Sequence, residues 1–265
     1  MKESRPIGIF DSGVGGLTVV AQVRRQLPKE NIVYFGDTAR VPYGTKSRET
    51  ITRFSVENVE FLMRHNVKIV IVACNTASSL ALDFLKRCFK VPVVGVIRPG
   101  ARRAAGATKN NRVGIIGTRA TIGSGAYQKE LKSANPKITV FGESCPLFVP
   151  LVEEGWLDSK VTGEIAFGYL KGLKAKDIDT LILGCTHYPL LKPAIEGIMG
   201  KTVTLVDSAE EVAIEADRIL DAHGIANRSN KKPFHKFFVS DDPKHFMEVG
   251  ERFLKQKIRC VKPSE

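Results

Sequence analysis

The feature that most constrains the fold is a repeat within the chain. Four apolar, strand-like segments of the first half return in the same order in the second half. Segments 8–10 and 31–37 return 106 residues later, and segments 69–74 and 90–97 return 111 residues later. Single matches between apolar strands are common in any α/β protein. Four such matches, in the same order and at a nearly constant offset, favour an internal duplication over ordinary α/β spacing.

Short β-branched runs alternate with longer stretches of helical periodicity in the first half. The predicted strands are 6–10, 31–36, 69–73 and 91–96, and the predicted helices are 17–27, 49–65 and 77–89. Such alternation is typical of an α/β fold with a mostly parallel sheet. Combined with the duplication, it predicts two pseudo-symmetric α/β domains that enclose an active site in the cleft between them.

The length of 265 residues suits one or two domains. We predict a first domain of residues 1–97 plus 208–265 and a second domain of residues 98–207. The last part of the chain, with a predicted helix at 209–222, a strand at 234–239 and a helix at 243–254, is expected to pack back on the first domain.

Five cysteines without a C-x-x-C pair indicate neither a disulfide scaffold nor a zinc site, and we expect no metal. Residues 1–6 are charged and lack a following apolar region of the signal-peptide type. The apolar runs are far shorter than the roughly 20 residues that span a bilayer. We therefore expect a cytoplasmic protein with reduced thiols and no membrane contact.

The formal net charge of +12 makes nucleic acid, an anionic membrane or an acidic substrate the first partners to consider. The excess lies in residues 98–137, with a net charge of +8, and in residues 228–265, with +5. Neither stretch interleaves its bases with aromatic residues as a base-stacking surface does. None of the candidate cleft residues given below is Lys or Arg, so we expect a mostly solvated surface that does not hold the substrate. Nucleic-acid binding is kept as an alternative function from another class.

The repeat places Cys74 and Cys185 at equivalent strand ends, each followed by polar residues. Ligands of open α/β sheets bind at the carboxyl ends of strands, and a helix N-terminus there favours a thiolate. Two thiols on opposite sides of one ligand suit inversion of a stereocentre by two bases. The alternative for each is an ordinary buried cysteine. Cys88 is expected to be such a core residue.

Five segments then carry a specific resemblance to bacterial glutamate racemases, of the aspartate/glutamate racemase family. They are GIFDSGVGGL (8–17), GDTARVPYG (36–44), ACNTAS (73–78), CPLFVPLVEEG (145–155) and GCTHYPLL (184–191). The resemblance implies two α/β domains and interconversion of L- and D-glutamate without a cofactor. It also implies supply of D-glutamate for peptidoglycan, and we expect a homodimer.

The resemblance also implies roles for individual residues. Cys74 matches the base acting on D-glutamate, assisted by Asp11, and Cys185 matches the base acting on L-glutamate, assisted by His187 and supported by Glu153. The positions that match substrate-binding residues are Asp11, Ser12, Pro42, Tyr43, Gly44, Asn75, Thr76, Thr186 and His187.

Other interpretations of these residues stay open on the sequence alone. Asp11 is also a candidate N-cap for the helix at Leu17, His187 a core histidine, and Tyr43 an aromatic residue packed behind Pro42. Glu153 is preferred to the adjacent Glu154. Within the same enzyme class, a racemase of aspartate or hydantoins is the nearest alternative.

Overall fold

The computed structural model describes residues 3–258 and 260–264. Its strands are β1 (Ile7–Asp11), β2 (Ile32–Gly36), β3 (Ile69–Val72), β4 (Val93–Gly95), β5 (Arg112–Gly117), β6 (Thr139–Ser144), β7 (Thr180–Gly184), β8 (Thr204–Asp207), β9 (His235–Val239) and β10 (Lys262–Pro263). Its α-helices are α1 (Leu17–Gln26), α2 (Arg48–Arg64), α3 (Asn75–Leu80), α4 (Leu82–Cys88), α5 (Ile97–Ala107), α6 (Arg119–Gly123), α7 (Ala126–Ala134), α8 (Phe148–Glu153), α9 (Lys160–Lys174), α10 (Lys192–Met199), α11 (Ser208–Ala222) and α12 (Pro243–Leu254). Short 3-10 helices span Thr38–Arg40, Tyr43–Thr45 and Tyr188–Leu191.

The strands form two parallel sheets whose strand orders repeat. The first sheet has the order β10-β9-β2-β1-β3-β4 and the second β6-β5-β7-β8. The order β2-β1-β3-β4 thus recurs as β6-β5-β7-β8. The register of the central pair recurs too, because Ile7 pairs with Ile69 and the repeat-equivalent Val113 pairs with Thr180. The predicted fold class, α/β with two mostly parallel sheets, is confirmed.

The last part of the chain returns to the first sheet. Strand β9 pairs with β2 in parallel, and β10 pairs with β9. The ring of Phe246, on α12, lies 5.8 Å from that of Tyr34, on β2. The predicted domain bounds, 1–97 with 208–265 and 98–207, stay a prediction.

Burial on both faces explains the continuous apolar runs of the central strands. Every residue of β1, β2, β3 and β7 is buried, whereas β6 and β8 at the edges of the second sheet have exposed residues. Helices cover both faces of such parallel sheets. Within the described part of the chain, no helix is long and apolar enough to cross a membrane.

The predicted helix 77–89 is two helices that meet at Ala81. The hydroxyl of Ser79 donates to the carbonyl of Thr76 at 2.9 Å, a local bond that commonly bends helices. The break leaves Leu85 as the buried residue of α4. The expectation that Cys88 lies in the core is wrong, because Cys88 is exposed on this helix.

Candidate active site

A cavity of about 380 Å³ lies where the carboxyl ends of the two sheets approach each other. This volume suits a small-molecule ligand. Predicted site residues from both halves of the chain line the cavity: Ser12, Pro42, Tyr43, Gly44, Cys74, Asn75, Thr76, Glu153, Cys185, Thr186 and His187. Cys74 and Cys185 therefore open onto one space, although 111 residues separate them in the sequence.

Cys74 lies between the end of β3 and the start of α3, where its backbone is extended. Its side chain is buried, and its Sγ donates to the Oγ of Ser12 at 3.7 Å. Burial, reinforced by the nearby carboxylate of Asp11, raises the pKa of Cys74 to about 12. This shift is opposite to the one expected from the sequence. The backbone N–H of Ala77 in α3 lowers the pKa, but burial outweighs it.

Asp11 lies behind the cavity rather than on its wall. It is fully buried at the end of β1, and its Oδ2 accepts from the backbone N–H of Gly13 at 3.0 Å. Its other oxygen, Oδ1, has no hydrogen-bond partner among the described residues. Burial raises the pKa of Asp11, although nearby His187 opposes the shift. The N-cap alternative is wrong, because Gly16 caps α1 without a side-chain bond.

Cys185 belongs to a chain of three polar groups. Its Sγ lies 3.8 Å from Nδ1 of His187, and Nε2 of His187 lies 2.8 Å from Oε1 of Glu153. Burial lowers the pKa of His187, but the bonds to Cys185 and Glu153 outweigh burial and raise it to about 10. A protonated imidazole beside a thiol favours the thiolate. His187 is therefore no ordinary core histidine.

The segment with Pro42, Tyr43 and Gly44 is held by a buried network. The hydroxyl of Tyr43 donates to the carboxylate of Asp37 and accepts from Nδ2 of Asn58 at 3.0 Å. Asp37 is itself fully buried and also accepts from Nε of Arg40 at 2.7 Å. Polar contacts thus fix the position of the Tyr43 hydroxyl.

The glycine-rich segment after β1 touches the other half of the chain. A Cβ on Gly15 would lie 2.3 Å from Oγ1 of Thr186 and 2.5 Å from Nδ1 of His187. The hydroxyl of Thr18 also bonds the carbonyl of Thr186 at 3.2 Å. Glycine is therefore required here for close approach of the two halves.

Comparisons with known proteins agree with this geometry. A family model described as Asp/Glu/Hydantoin racemase matches residues 13–216. The glutamate racemase of Geobacter metallireducens is 54% identical over 257 residues, which cover 97% of this chain and 95% of that protein. The chain belongs to the Asp/Glu/Hydantoin racemase family. It is therefore an isomerase.

Solved structures of racemases show the same fold over nearly the whole chain. A glutamate racemase isoform of Bacillus anthracis has a TM-score of 0.96 at 43% identity, covering 99% of this chain and 98% of that one. The glutamate racemase of Francisella tularensis, solved in complex with D-glutamate, has a TM-score of 0.93 at 40% identity with the same coverage.

In this racemase the second half adds polar wall residues that motif comparison missed. Thr118 and Arg119 line the cavity, so one basic residue of the 98–137 stretch reaches it. Thr118 and Thr121 contact the hydroxyl of Thr76 at 3.0 and 3.3 Å. The repeat could have predicted Thr118, because Thr118 lies 106 residues after the candidate site residue Ser12 and is therefore its equivalent in the second half.

The polar groups of the racemase site form no metal cluster among residues 3–258 and 260–264. Glu153 lines the cavity at the end of α8, whereas the adjacent Glu154 is exposed outside it. Cys145 is buried behind Cys185, where its backbone carbonyl accepts from the hydroxyl of Tyr188 at 2.8 Å.

Proposed function

We propose that this chain is a glutamate racemase that interconverts L- and D-glutamate without a cofactor. Proton transfer at Cα would use two cysteines, Cys74 and Cys185. The observation that carries this proposal is the placement of both thiols, from equivalent strand ends, on the wall of one cavity. Inversion of a stereocentre by two bases needs this arrangement, because one base must act on each face of Cα.

In the direction from D- to L-glutamate, the thiolate of Cys74 takes the Cα proton and the thiol of Cys185 gives a proton to the opposite face. The reverse reaction starts from the thiolate of Cys185. The bound substrate brings an ammonium group next to both sulfurs, and a nearby positive charge lowers a thiol pKa. Substrate binding thus opposes the burial that keeps Cys74 protonated in the empty site.

The assisting groups differ between the two sides. His187, held by Glu153, exchanges a proton with Cys185. On the other side, Ser12 contacts the thiol of Cys74, and the buried carboxyl of Asp11 assists by favouring the protonated form in which Cys74 returns a proton to Cα.

The negative charge that develops at Cα and on the substrate carboxylate needs electrostatic stabilisation, since no electron sink takes part in the proposed reaction. Asn75, Thr76 and Thr186 supply side-chain donors on the cavity wall.

Glutamate is proposed as the substrate from the relatives, one of which is solved with D-glutamate. D-Glutamate made in this way would serve peptidoglycan synthesis. The homodimer and the cytoplasmic location expected from the sequence stay predictions.

The decisive experiment follows the circular dichroism of L-glutamate and, separately, of L-aspartate after enzyme is added. Decay of the signal to zero with glutamate supports the proposal. Decay with aspartate alone would make aspartate the substrate.

A further inference from the structure

Three buried side chains from distant parts of the sequence meet beside the cavity. The hydroxyl of Tyr127, on α7, donates to Oδ1 of Asn75, at the start of α3, at 2.7 Å. The same hydroxyl lies 2.8 Å from Oγ of Ser208, the first residue of α11. Relative exposure is 1% for Tyr127, 4% for Asn75 and 3% for Ser208. Only Asn75 of the three lines the cavity.

The direction of these hydrogen bonds follows from the number of protons. A phenol has a single O–H donor, and Tyr127 uses it on Asn75. Ser208 must therefore donate to the oxygen of Tyr127. Burial raises the pKa of Tyr127 above its ordinary value, so the phenol keeps its proton. The amide oxygen of Asn75 is then occupied, and the two N–H donors of its Nδ2 are left for the cavity.

The backbone packs closely against two of these three side chains. A Cβ on Gly184 would lie 3.2 Å from the ring of Tyr127, and a Cβ on Gly100 would lie 2.8 Å from Oγ of Ser208. The backbone thus approaches both side chains closely. The rigid ring holds the orientation of an amide that belongs to the other half of the chain.

We propose that Tyr127 is a positioning residue, which with Ser208 fixes the amide of Asn75 so that its N–H donors point toward the substrate. This inference rests on the proposed racemisation of glutamate. It assigns to Asn75 a substrate group that accepts hydrogen bonds, a carboxylate oxygen. Without the phenol hydroxyl, the amide turns freely and presents its oxygen to that carboxylate part of the time.

The test is a double-mutant cycle of Tyr127→Phe and Asn75→Ala, with KM, kcat and Tm measured for each protein. Loss of one oriented donor is expected to raise KM for glutamate about tenfold in Tyr127→Phe, with a smaller decrease in kcat, because the substrate carboxylate accepts this bond in both the ground state and the transition state. In the Asn75→Ala background, adding Tyr127→Phe should change KM by less than about twofold. Tyr169→Phe, which removes a phenol outside the cavity lining, is the matched control and should keep the KM of the wild type.

An unchanged KM in Tyr127→Phe overturns the inference. The inference is also overturned if Tyr127→Phe raises KM by the same factor in the wild type and in Asn75→Ala. If the Tyr127→Phe variant does not fold, the test uses the Asn75→Asp variant in its place. The carboxylate still accepts from Tyr127 but offers the substrate an acceptor in place of N–H donors, so KM should rise strongly in a protein whose Tm shows that it is still folded. An unchanged KM in Asn75→Asp also overturns the inference.

Assays of the wild-type protein distinguish failure of this inference from failure of the proposed function. If the wild type racemises aspartate and not glutamate, the proposed function fails, and the same cycle is measured with aspartate. If it racemises neither amino acid, both proposals are overturned.

Discussion

The two thiols occupy equivalent places in the repeat but have different neighbours. Cys74 contacts a serine hydroxyl and lies near a buried carboxyl, whereas Cys185 lies beside an imidazole that pairs with Glu153. A neighbouring carboxylate disfavours a thiolate and a protonated imidazole favours it. In the empty enzyme, burial and the nearby carboxyl of Asp11 therefore favour the protonated form of Cys74.

Replacing either cavity cysteine by alanine should abolish racemisation, because one face of Cα then lacks its proton donor or acceptor. The expected loss in kcat is at least about a thousandfold for both Cys74→Ala and Cys185→Ala. Circular dichroism of L- and D-glutamate measures it. Cys88→Ala, at an exposed site outside the cavity lining, is the control and should retain full activity. Normal racemisation by either cavity variant would refute the two-base mechanism.

The pair of His187 and Glu153 predicts a pH-dependent contribution to stability. The pKa of His187 is raised from 6.5 to about 10 in the folded state, so folding takes up a proton between these values. The stabilisation is complete below pH 6.5 and is lost as the pH rises through about 10. In Glu153→Gln one group that raises this pKa loses its charge. The fall of Tm between pH 6.5 and 10 should therefore be shallower than in the wild type.

The exposed neighbour Glu154 provides the control for this measurement, since Glu154→Gln removes the same charge outside the cavity. The Tm of Glu154→Gln should fall with rising pH as steeply as that of the wild type. Equal slopes for Glu153→Gln and the wild type would contradict the contribution of the pair.

Motif residues could be predicted from the sequence, but the residues that orient them could not. Cys74 and Cys185 were found because the repeat pairs them and polar residues follow both. Asp37 and Tyr127 act through hydrogen bonds to Tyr43 and Asn75 that only the folded chain creates. The sign of the Cys74 pKa shift was missed for a similar reason, because sequence shows a helix start but not the depth of burial.

At the scale of elements, the repeat and the apolar periodicity predicted the strands well. Runs buried on both faces are continuous and apolar, and they lie close to their predicted bounds in β1, β2 and β3. The break at Ala81 was missed because apolar spacing does not report local side-chain bonds such as the one from Ser79 to Thr76 beside the break. Arg119 was missed because its segment lies among surface bases in the sequence, while α6 turns it toward the cavity.

The turn between β1 and α1 yields a prediction about the approach of the two halves. Gly15→Ala introduces a Cβ that meets Thr186 and the imidazole of His187, so these side chains or the backbone at Gly15 must shift. We expect a loss of kcat/KM of at least about tenfold, because small displacements at a catalytic group are costly. Steady-state kinetics and Tm are the measurements.

Gly168→Ala is the matched control, because Gly168 is an exposed glycine within α9 whose Cβ would meet nothing within 4 Å. It should keep full activity and gain about 0.5–1 kcal/mol of stability from helix propensity. If Gly15→Ala were as active as Gly168→Ala, close approach at Gly15 would not matter for catalysis.

At the scale of the whole molecule, part of the positive charge is balanced by contacts between helices. Arg98, Arg102 and Arg103 on α5 lie 3.9, 3.8 and 3.5 Å from Glu130, Glu215 and Glu211, respectively. The acids belong to α7 and α11, so a stretch that is basic in sequence is a mixed surface in the fold. Partly exposed pairs of this kind add little stability. They make the +8 of residues 98–137 a weak argument for nucleic-acid binding.

The buried ion pair of Glu30 and Lys68 connects the N-terminal segment of the chain with the segment that follows α11. Nζ of Lys68 lies 2.6 Å from Oε2 of Glu30 and donates to the carbonyls of Glu3 and Ile225 at 2.6 and 2.7 Å. The other oxygen of Glu30 accepts from the backbone N–H of Asn227 at 2.7 Å. Lys68 and Glu30 are 1% and 2% exposed. This pair therefore fastens the segment after α11 to the first sheet.

Lys68→Met should lower the free energy of unfolding by about 3–5 kcal/mol, because it leaves the charge of Glu30 buried and unpaired. The double variant Lys68→Met/Glu30→Gln should recover part of this loss, since no buried charge is then left. Lys160→Met, at an exposed pair with Glu164, is the control and should change stability by less than about 1 kcal/mol. Urea unfolding measures all three. A Lys68→Met variant as stable as Lys160→Met would show that the returning segment is held by apolar packing of α11 and α12 alone.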